Sequence, residues 1–210
     1  MNKRTAVAAE PVASERSPSV ARARILETAT ALFYREGVRA VGVDLVVERS
    51  GVAKTSLYRH FATKDDLVVA FLEREDAEYW SDWDGVAEKA KGDPLAELEA
   101  HIRWIANHIL KPTYRGCPFL NVATEFPDAE HPARAITTRH KLELHRRLAA
   151  LAKATGIRKP AELADQLGLL FDGAYMNGHL TGKKGPVRSF VSAGLALLQL
   201  AQDPQPATGA

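Results

Sequence analysis

The fold of this chain is indicated by residues 42–64, which read GVDLVVERSGVAKTSLYRHFATK. A short apolar pattern in the first half ends at Ser50 and Gly51, and a second short segment places Leu57 and Phe61 one helical turn apart. Glycine suits the tight turn between two such helices because it accepts a positive φ. The stretch therefore predicts a helix-turn-helix unit.

The polar side chains of the second helix lie off the face that carries Leu57 and Phe61. If that helix enters the major groove of DNA, they can donate hydrogen bonds to phosphates and base edges. The candidate DNA-binding residues of this segment are Lys54, Thr55, Ser56, Tyr58, Arg59, His60 and Lys64. A glycine-turned helix pair is also found in ordinary bundle packing, so the pattern alone leaves that alternative open.

Residues 51–67, GVAKTSLYRHFATKDDL, resemble the recognition-helix signature of the TetR family of transcriptional regulators. The resemblance implies phosphate contacts by Tyr58, His60 and Lys64. It implies base contacts by Lys54, Thr55 and Ser56, with Arg59 in either role. It also implies a two-fold dimer that binds a near-palindromic operator.

Two positions depart from the family pattern, in which Thr or Ser caps the first helix of the motif and Ser caps the second. This chain has Val41 or Gly42 at the first position and Ala53 at the second. A missing side-chain cap costs about 1 kcal/mol. We expect Asp44, in the first turn, to offset part of that loss through the helix dipole.

The net charge of +2 is unevenly distributed along the 210 residues. Residues 1–64 carry 11 Lys and Arg against 6 Asp and Glu, residues 65–99 carry 3 against 12, and the remainder carries 14 against 8. A basic end followed by an acidic segment suits a DNA-contacting head on a body that DNA does not touch. One cysteine excludes an internal disulfide framework. Without a long apolar run or an apolar signal core, we expect a cytoplasmic protein with no membrane partner.

We expect four parts along the chain. Residues 1–19 lack periodicity and predict a disordered arm. Residues 20–66 predict the DNA-binding domain, whose first helix is capped by Ser19 and carries Arg22, a further candidate for the DNA backbone. Residues 67–202 predict a ligand-binding and dimerisation domain, and residues 203–210 a frayed tail.

The candidate ligand-binding residues lie in the predicted body helices and in the irregular segment 111–132. They are Trp80, Trp83, Trp104, His108, Cys117, Phe119, Asn121, Glu125, Tyr175 and His179. Tryptophans at helical spacing more often belong to the hydrophobic core than to a ligand-binding surface. A fully packed core without a ligand site is therefore an alternative. A metal site is disfavoured because the two histidines of the helix from Pro94 are seven residues apart and neither is followed by a carboxylate three or four residues later.

Cys117 precedes Pro118, which suits the first position of a short helix. At the N-cap the helix dipole would lower the pKa of the thiol and favour a redox or electrophile sensor. The alternative is a small buried thiol without special reactivity, because no second cysteine is present to resolve an oxidised form.

The last two predicted helices, from Pro160 and from about Phe190, carry more apolar and small-residue surface than one core needs. This surplus predicts a homodimer through these helices, which the resemblance also implies. The alternative is that both helices are internal.

The sequence thus predicts an all-α protein with an N-terminal three-helix helix-turn-helix DNA-binding domain and a six-helix ligand-binding and dimerisation domain. Its predicted function is sequence-specific transcriptional regulation, as a repressor released from its operator by an unidentified small-molecule effector, with no other cofactor. One alternative is a constitutive DNA-binding protein without effector. Another is a helical enzyme that uses Glu125 or Asp172 with a histidine as acid and base.

Overall fold

The computed structural model describes residues 18–202. Most of the predicted disordered arm and the predicted frayed tail, residues 203–210, lie outside the described residues. Within residues 18–202 the chain forms nine α-helices and no strand, which confirms the predicted all-α class. None of these helices is both long and apolar enough to cross a membrane.

The helices follow one another through short connections. In chain order they are α1 (Pro18–Glu36), α2 (Val43–Ser50), α3 (Lys54–His60), α4 (Lys64–Lys89), α5 (Pro94–Ile109), α6 (Pro118–Glu125), α7 (Pro132–Ala154), α8 (Pro160–Thr181) and α9 (Phe190–Gln202). The segment predicted as a loop before α9 forms two short 3₁₀ turns, Gly182–Lys184 and Pro186–Ser189. The chain divides into two compact units, one ending at Leu67 and one beginning at Val68, so α4 starts in the first and continues in the second.

The first unit is built on one apolar face of α1. Ile25 and Ala29 are completely buried there, together with Val46 of α2 and Leu57 of α3. The sequence predicts that Ser19 caps α1. The helix includes Pro18, so Ser19 lies within the helix and does not cap it. The pairing of α1 with α2 and α3 follows from the helical spacing of these apolar residues.

The helix ends of the first unit differ in how they are capped. Gly42 and Ala53 precede α2 and α3 without a side-chain hydrogen bond to the helix, as the sequence predicts. Gly51 ends α2 with φ 65° and donates its backbone N–H to the Val47 carbonyl. At α4 the Thr63 hydroxyl accepts from the Asp66 backbone N–H at 3.1 Å, and Asp66 Oδ2 accepts from the Thr63 N–H at 2.9 Å.

The second unit is a helical body in which α7 packs most extensively against α8. Helix α6 packs on α7, and α5 contacts α7, α8 and α9. Proline occupies the start of α5, α6, α7 and α8, where its missing N–H removes no helical hydrogen bond. Asp93 caps α5 by accepting from the backbone N–H groups of Leu95 and Ala96.

Glycines of α8 serve two different purposes. A Cβ at Gly178 would lie 2.2 Å from Ile109 Cγ2, so this glycine allows α5 of the same chain to approach. Gly168 and Gly173 have open space around the position of a Cβ. Gly178 therefore accommodates a helix of the same chain, whereas Gly168 and Gly173 leave space beside α8.

Candidate DNA-binding surface and ligand cavity

Helix α3 presents its polar residues to solvent because Leu57 and Phe61 hold its other face in the core. Thr55, Tyr58 and Arg59 are exposed, Tyr58 at 44% of its surface. Ser56, His60 and Lys64 are partly buried. An α-helix with this exposed edge has the width and the donors that a DNA major groove accepts.

Lys54, at the first position of α3, pairs with Asp44 in the first turn of α2. Its Nζ lies 2.6 Å from Asp44 Oδ1, and the hydrogen bond raises the pKa of Lys54 above its usual range. Both side chains remain largely exposed. The pair links the starts of the two helices that lack side-chain caps.

The two arginines near the start of α1 hold the motif in different ways. Arg24 Nη2 donates to the Ser50 carbonyl at 2.8 Å, beside the turn at Gly51. The guanidinium of Arg22 lies 5.1 Å from the centre of the Phe61 ring. Arg24 is thus engaged in closing the helix turn, whereas Arg22 packs against Phe61 through a cation–π contact.

The second unit contains an aromatic-walled cavity of about 110 Å³. Five helices contribute side chains to its wall. The lining residues are Glu75, Glu78, Tyr79 and Asp82 of α4, Trp104 and His108 of α5, Cys117, Pro118 and Phe119 at the start of α6, His140 of α7 and Tyr175 of α8. Two wider hollows, around Arg139 and around Lys159, open on the surface and have no aromatic residue in their walls.

Tyr79 is at the centre of the ring cluster that forms the cavity wall. Its ring centre lies 5.2 Å from that of Trp104 and 4.7 Å from that of His140, in edge-to-face arrangements. Phe119 stacks on His140 at 3.7 Å. Edge-to-face and stacked rings fix one another's orientation, so this wall is preformed.

Two buried polar atoms in this wall have no hydrogen-bond partner among the described residues, Tyr79 Oη and His108 Nδ1. Burial has the larger effect on the pKa of Tyr79, and the neighbouring Tyr175 hydroxyl partly opposes it by lowering that pKa through a side-chain hydrogen-bonding contribution. Burial raises the pKa of Tyr79 above its usual range and lowers that of His108. Unpartnered buried polar groups are costly, and a bound polar molecule would satisfy them.

The charges around the cavity are set by burial. Burial, helped by repulsion from Glu78, raises the pKa of Glu75 to about 7. Burial also lowers the pKa of His140 to about 4, against the opposing effect of Asp76, whose Oδ1 lies 2.8 Å from His140 Nδ1. Both histidines of the wall are therefore neutral at pH 7, and its formal charges are carboxylates.

Comparison with known proteins identifies the family. The family model described as "Bacterial regulatory proteins, tetR family" matches residues 25–71. The HTH-type transcriptional repressor Rv3405c of Mycobacterium tuberculosis is 31% identical over 140 residues, covering 65% of this chain and 71% of that protein. The crystal structure of SCO4454, a TetR-family transcriptional regulator from Streptomyces coelicolor, aligns with a TM-score of 0.84 at 31% identity, covering 88% of this chain and 97% of that one. The chain belongs to the TetR family.

A further relative matches a shorter stretch of the chain. The HTH-type transcriptional activator FasR of Mycolicibacterium smegmatis is 40% identical over 53 residues, which is 25% of this chain and 24% of that protein. Membership of the TetR family makes this chain a helix-turn-helix transcriptional regulator and not an enzyme. Asp172, one of the carboxylates considered for an enzymatic role, forms an ion pair with Lys141.

The structure brings half of the sequence-predicted ligand residues of this TetR-family chain to one cavity. Trp104, His108, Cys117, Phe119 and Tyr175 line it. The other five predicted residues, Trp80, Trp83, Asn121, Glu125 and His179, do not.

Each tryptophan of α4 is engaged beside the cavity. Trp83 is buried and stacks on His101 with ring centres 3.5 Å apart. Trp80 donates its indole N–H to Asp76 at 2.8 Å, and the Arg147 guanidinium lies 4.3 Å from its ring centre. These contacts assign both rings to the packing that supports the wall.

Asn121 and Glu125 lie on the side of α6 that faces away from buried Phe119 and Val122. The Asn121 amide donates to the Arg115 carbonyl at 3.0 Å, which holds the segment before the helix. His179 is one turn beyond Tyr175 on α8, outside the lining. Asn121 is separated from the lining by the side of α6 on which it lies, whereas His179 shares a side of α8 with Tyr175 and is separated by its position along the helix.

Cys117 occupies the N-cap of α6, as the sequence predicts. The predicted lowering of its pKa is wrong, since burial raises the pKa of the thiol above its usual range. Desolvation outweighs the dipole of an eight-residue helix and the nearby Lys141. The thiol is therefore protonated at pH 7 and forms part of the apolar wall.

Sequence reasoning missed four lining residues of α4, namely Glu75, Glu78, Tyr79 and Asp82. Their spacing of three, one and three places them on one face of the helix. That face lies within the segment of strongest negative charge, so a same-face search among its acidic residues would have found Glu75, Glu78 and Asp82, and Tyr79 lies between them on the same face.

Proposed function

We propose that this TetR-family regulator is a repressor that leaves its operator when a small molecule occupies the cavity of the second unit. The observation that carries the proposal is the preformed aromatic wall with two buried, unpartnered polar atoms. A constitutive DNA-binding protein has no need for such a space, and its core would pack more tightly if filled.

The proposed DNA interface is the exposed edge of α3 with the start of α4. Tyr58, His60 and Lys64 hold phosphates, and Arg22 adds a contact from α1. Lys54, Thr55 and Ser56 face bases at the start of the recognition helix, and Arg59 contacts either. The exposure of Thr55 and Tyr58 supports these roles.

The proposed assembly is a two-fold homodimer through α8 and α9. Leu169 and Leu180 of α8 and Leu200 of α9 expose 76%, 71% and 64% of their surface, an unusual exposure for three leucines on two adjacent helices. Gly168 and Gly173 leave room beside them. A dimer would present two recognition helices about 34 to 36 Å apart in successive major grooves.

The proposed switch acts through α4. This helix supplies four residues to the cavity wall and begins at Lys64, four residues after the end of α3. A ligand that favours a different position of α4 changes the spacing of the two recognition helices. It releases DNA only if it binds the released form more tightly, with a coupling of roughly 1 to 3 kcal/mol.

The test is binding of the purified protein to DNA from beside its own gene, followed by fluorescence anisotropy across a salt series. Tyr58→Ala should weaken binding to all sequences, whereas Thr55→Ala should relax the preference for the operator. Weak binding that is indifferent to sequence would contradict the interface. Expression of a reporter gene placed behind the same DNA should rise when the gene for the regulator is deleted. A fall in that expression would identify the protein as an activator.

A further inference from the structure

The acidic residues of the cavity lie along one stripe of α4. Glu75, Glu78 and Asp82 are three and four residues apart, so they follow one another on the same face of the helix. Glu78 and Asp82 are exposed and Glu75 is partly buried. The carboxylates therefore form the outer side of the cavity, and the rings of Trp104 and Phe119 belong to the other helices of its wall.

No lysine or arginine belongs to the lining. Arg74 Nε pairs with Glu78 Oε1 at 2.8 Å, whereas within residues 18–202 no cation forms an ion pair with Glu75 or Asp82. Four cations act on lining groups from outside the wall: Arg74, which also lowers the pKa of Glu75, and Lys111, Lys141 and Arg147. Lys141 pairs with Asp172, and Arg147 pairs with Asp84 and Glu143.

The charged side chains of the lining are all acidic, namely Glu75, Glu78 and Asp82. Burial raises the pKa of Glu75 and lowers that of His108 and His140, so burial alone disfavours charge of either sign, and the preference for a cation comes from the carboxylates. An anion would meet three carboxyl groups, of which Glu78 alone is paired with a cation, Arg74, among residues 18–202. A cation would gain both the carboxylates and the electron-rich ring faces.

We propose that the effector is a small organic cation, an aromatic or alkyl amine whose ammonium group lies against Glu75 and Asp82 and whose apolar part fills the space between Trp104 and Phe119. This inference rests on the proposed function, which makes the cavity the effector site. The ammonium N–H groups also supply donors for the orphaned Tyr79 Oη and, in the matching tautomer, His108 Nδ1. At about 10 to 15 Å³ for each water-sized occupant, the volume of about 110 Å³ holds roughly seven to eleven non-hydrogen atoms.

Three probes of nearly equal size and different charge test the inference. They are 2-phenylethylamine, 2-phenylethanol and phenylacetate, which are cationic, neutral and anionic at pH 8. Binding to the purified full chain is followed by tryptophan fluorescence at fixed salt, since Trp104 is part of the wall. We expect the amine to bind at least about 10-fold more tightly than the alcohol, and phenylacetate to bind most weakly.

Substitutions of single acidic residues of α4 test which carboxylates give the preference for the amine. Glu75→Gln keeps the shape and should remove most of the preference for the amine, whereas Glu73→Gln, at an exposed position of α4 outside the lining, should leave it unchanged. Asp82→Asn should reduce the preference in the same direction. Equal binding of amine and alcohol, tighter binding of phenylacetate, no measurable amine binding, or an unchanged preference in Glu75→Gln each overturns the inference.

Operator release is measured separately, so the two proposals fail in different ways. If the amine binds with the expected preference and the anisotropy of the operator complex does not change, the ligand class stands and the release mechanism fails. If phenylethanol or phenylacetate binds and releases DNA, the release mechanism stands and the cation inference fails.

Discussion

Lys54 and Asp44 lie 2.6 Å apart between Nζ and Oδ1, and this ion pair ties the first turn of the recognition helix to the first turn of α2. A lysine at the start of a helix is unfavourable next to the positive end of the dipole, and Asp44 supplies the opposing charge. The same lysine is proposed to face bases. DNA and Asp44 therefore compete for one ammonium group.

We predict that Asp44→Asn strengthens DNA binding by roughly 3- to 10-fold at low salt for operator and unrelated DNA alike, because it frees Lys54 and removes a negative charge near phosphates. Fluorescence anisotropy across a salt series measures the change. The control is Glu48→Gln, an exposed acid of α2. An equal gain in both variants would attribute the effect to charge alone and not to the ion pair.

The turn between α2 and α3 provides a stability prediction. Gly51 has φ 65°, and a Cβ there would lie 3.2 Å from Arg24 Nη2, which holds the Ser50 carbonyl. Gly51→Ala should destabilise the first unit by about 1 to 2 kcal/mol because an L-residue is strained in the left-handed region. Amide hydrogen exchange in α2 and α3 measures this change directly.

Gly42→Ala is the matched control, since Gly42 has φ −79° and open space around the position of a Cβ. It should leave exchange in α2 and α3 within about 0.5 kcal/mol of the parent. Similar losses in both variants would show that the strain argument for Gly51 is wrong.

The raised pKa of Glu75 makes the stability of the second unit depend on pH. Its carboxyl ionises near 4.5 in the unfolded chain and near 7 in the folded protein, so the folded state holds the proton more tightly. The stabilisation linked to that proton is complete below pH 4.5 and is lost as the pH rises through 7. Ionised Glu75 therefore destabilises the folded, ligand-free protein.

Glu75→Gln should accordingly be more stable than the parent at about pH 8, by about 1 to 2 kcal/mol after screening by solvent, and nearly equal to it at about pH 5. Urea unfolding followed by tryptophan fluorescence reports on the second unit, which contains all three tryptophans. Glu73→Gln should show no pH-dependent gain. A gain of equal size at both pH values would contradict the assigned cause.

The helix-turn-helix unit could be predicted from sequence because its determinants are local. The spacing of Leu57 and Phe61, the glycine turn at Gly51 and the cap at Thr63 each act within a few residues. The ion pair between Lys54 and Asp44 joins two different helices. It could not be predicted, because the sequence does not reveal the angle at which α2 and α3 cross.

The cavity could be predicted only in part, because its lining depends on how each helix is rotated about its axis. Phe119 and Asn121 are two residues apart on α6, and only Phe119 faces the space. Tyr79 and Trp80 are neighbours, yet Tyr79 lines the cavity while Trp80 pairs with Asp76. The pKa of Cys117 also depended on burial, which the N-cap position alone does not reveal.

The exposed apolar face of α8 carries the last prediction. Leu169 is 76% exposed, so Leu169→Asp alters no internal packing and should leave the melting temperature of an isolated protomer unchanged. In a dimer formed through α8 and α9, a carboxylate buried at this position should raise the dissociation constant by about 10- to 100-fold. Operator affinity should fall with it, because a monomer contacts one half-site.

Analytical ultracentrifugation over a range of protein concentrations measures the dimer. The control is Leu142→Asp on α7, where a leucine with 66% exposure lies outside α8 and α9. Loss of dimer in Leu169→Asp with retention in Leu142→Asp locates the interface on the last two helices. The reverse result would move it to α7, beside the arginines that flank Leu142.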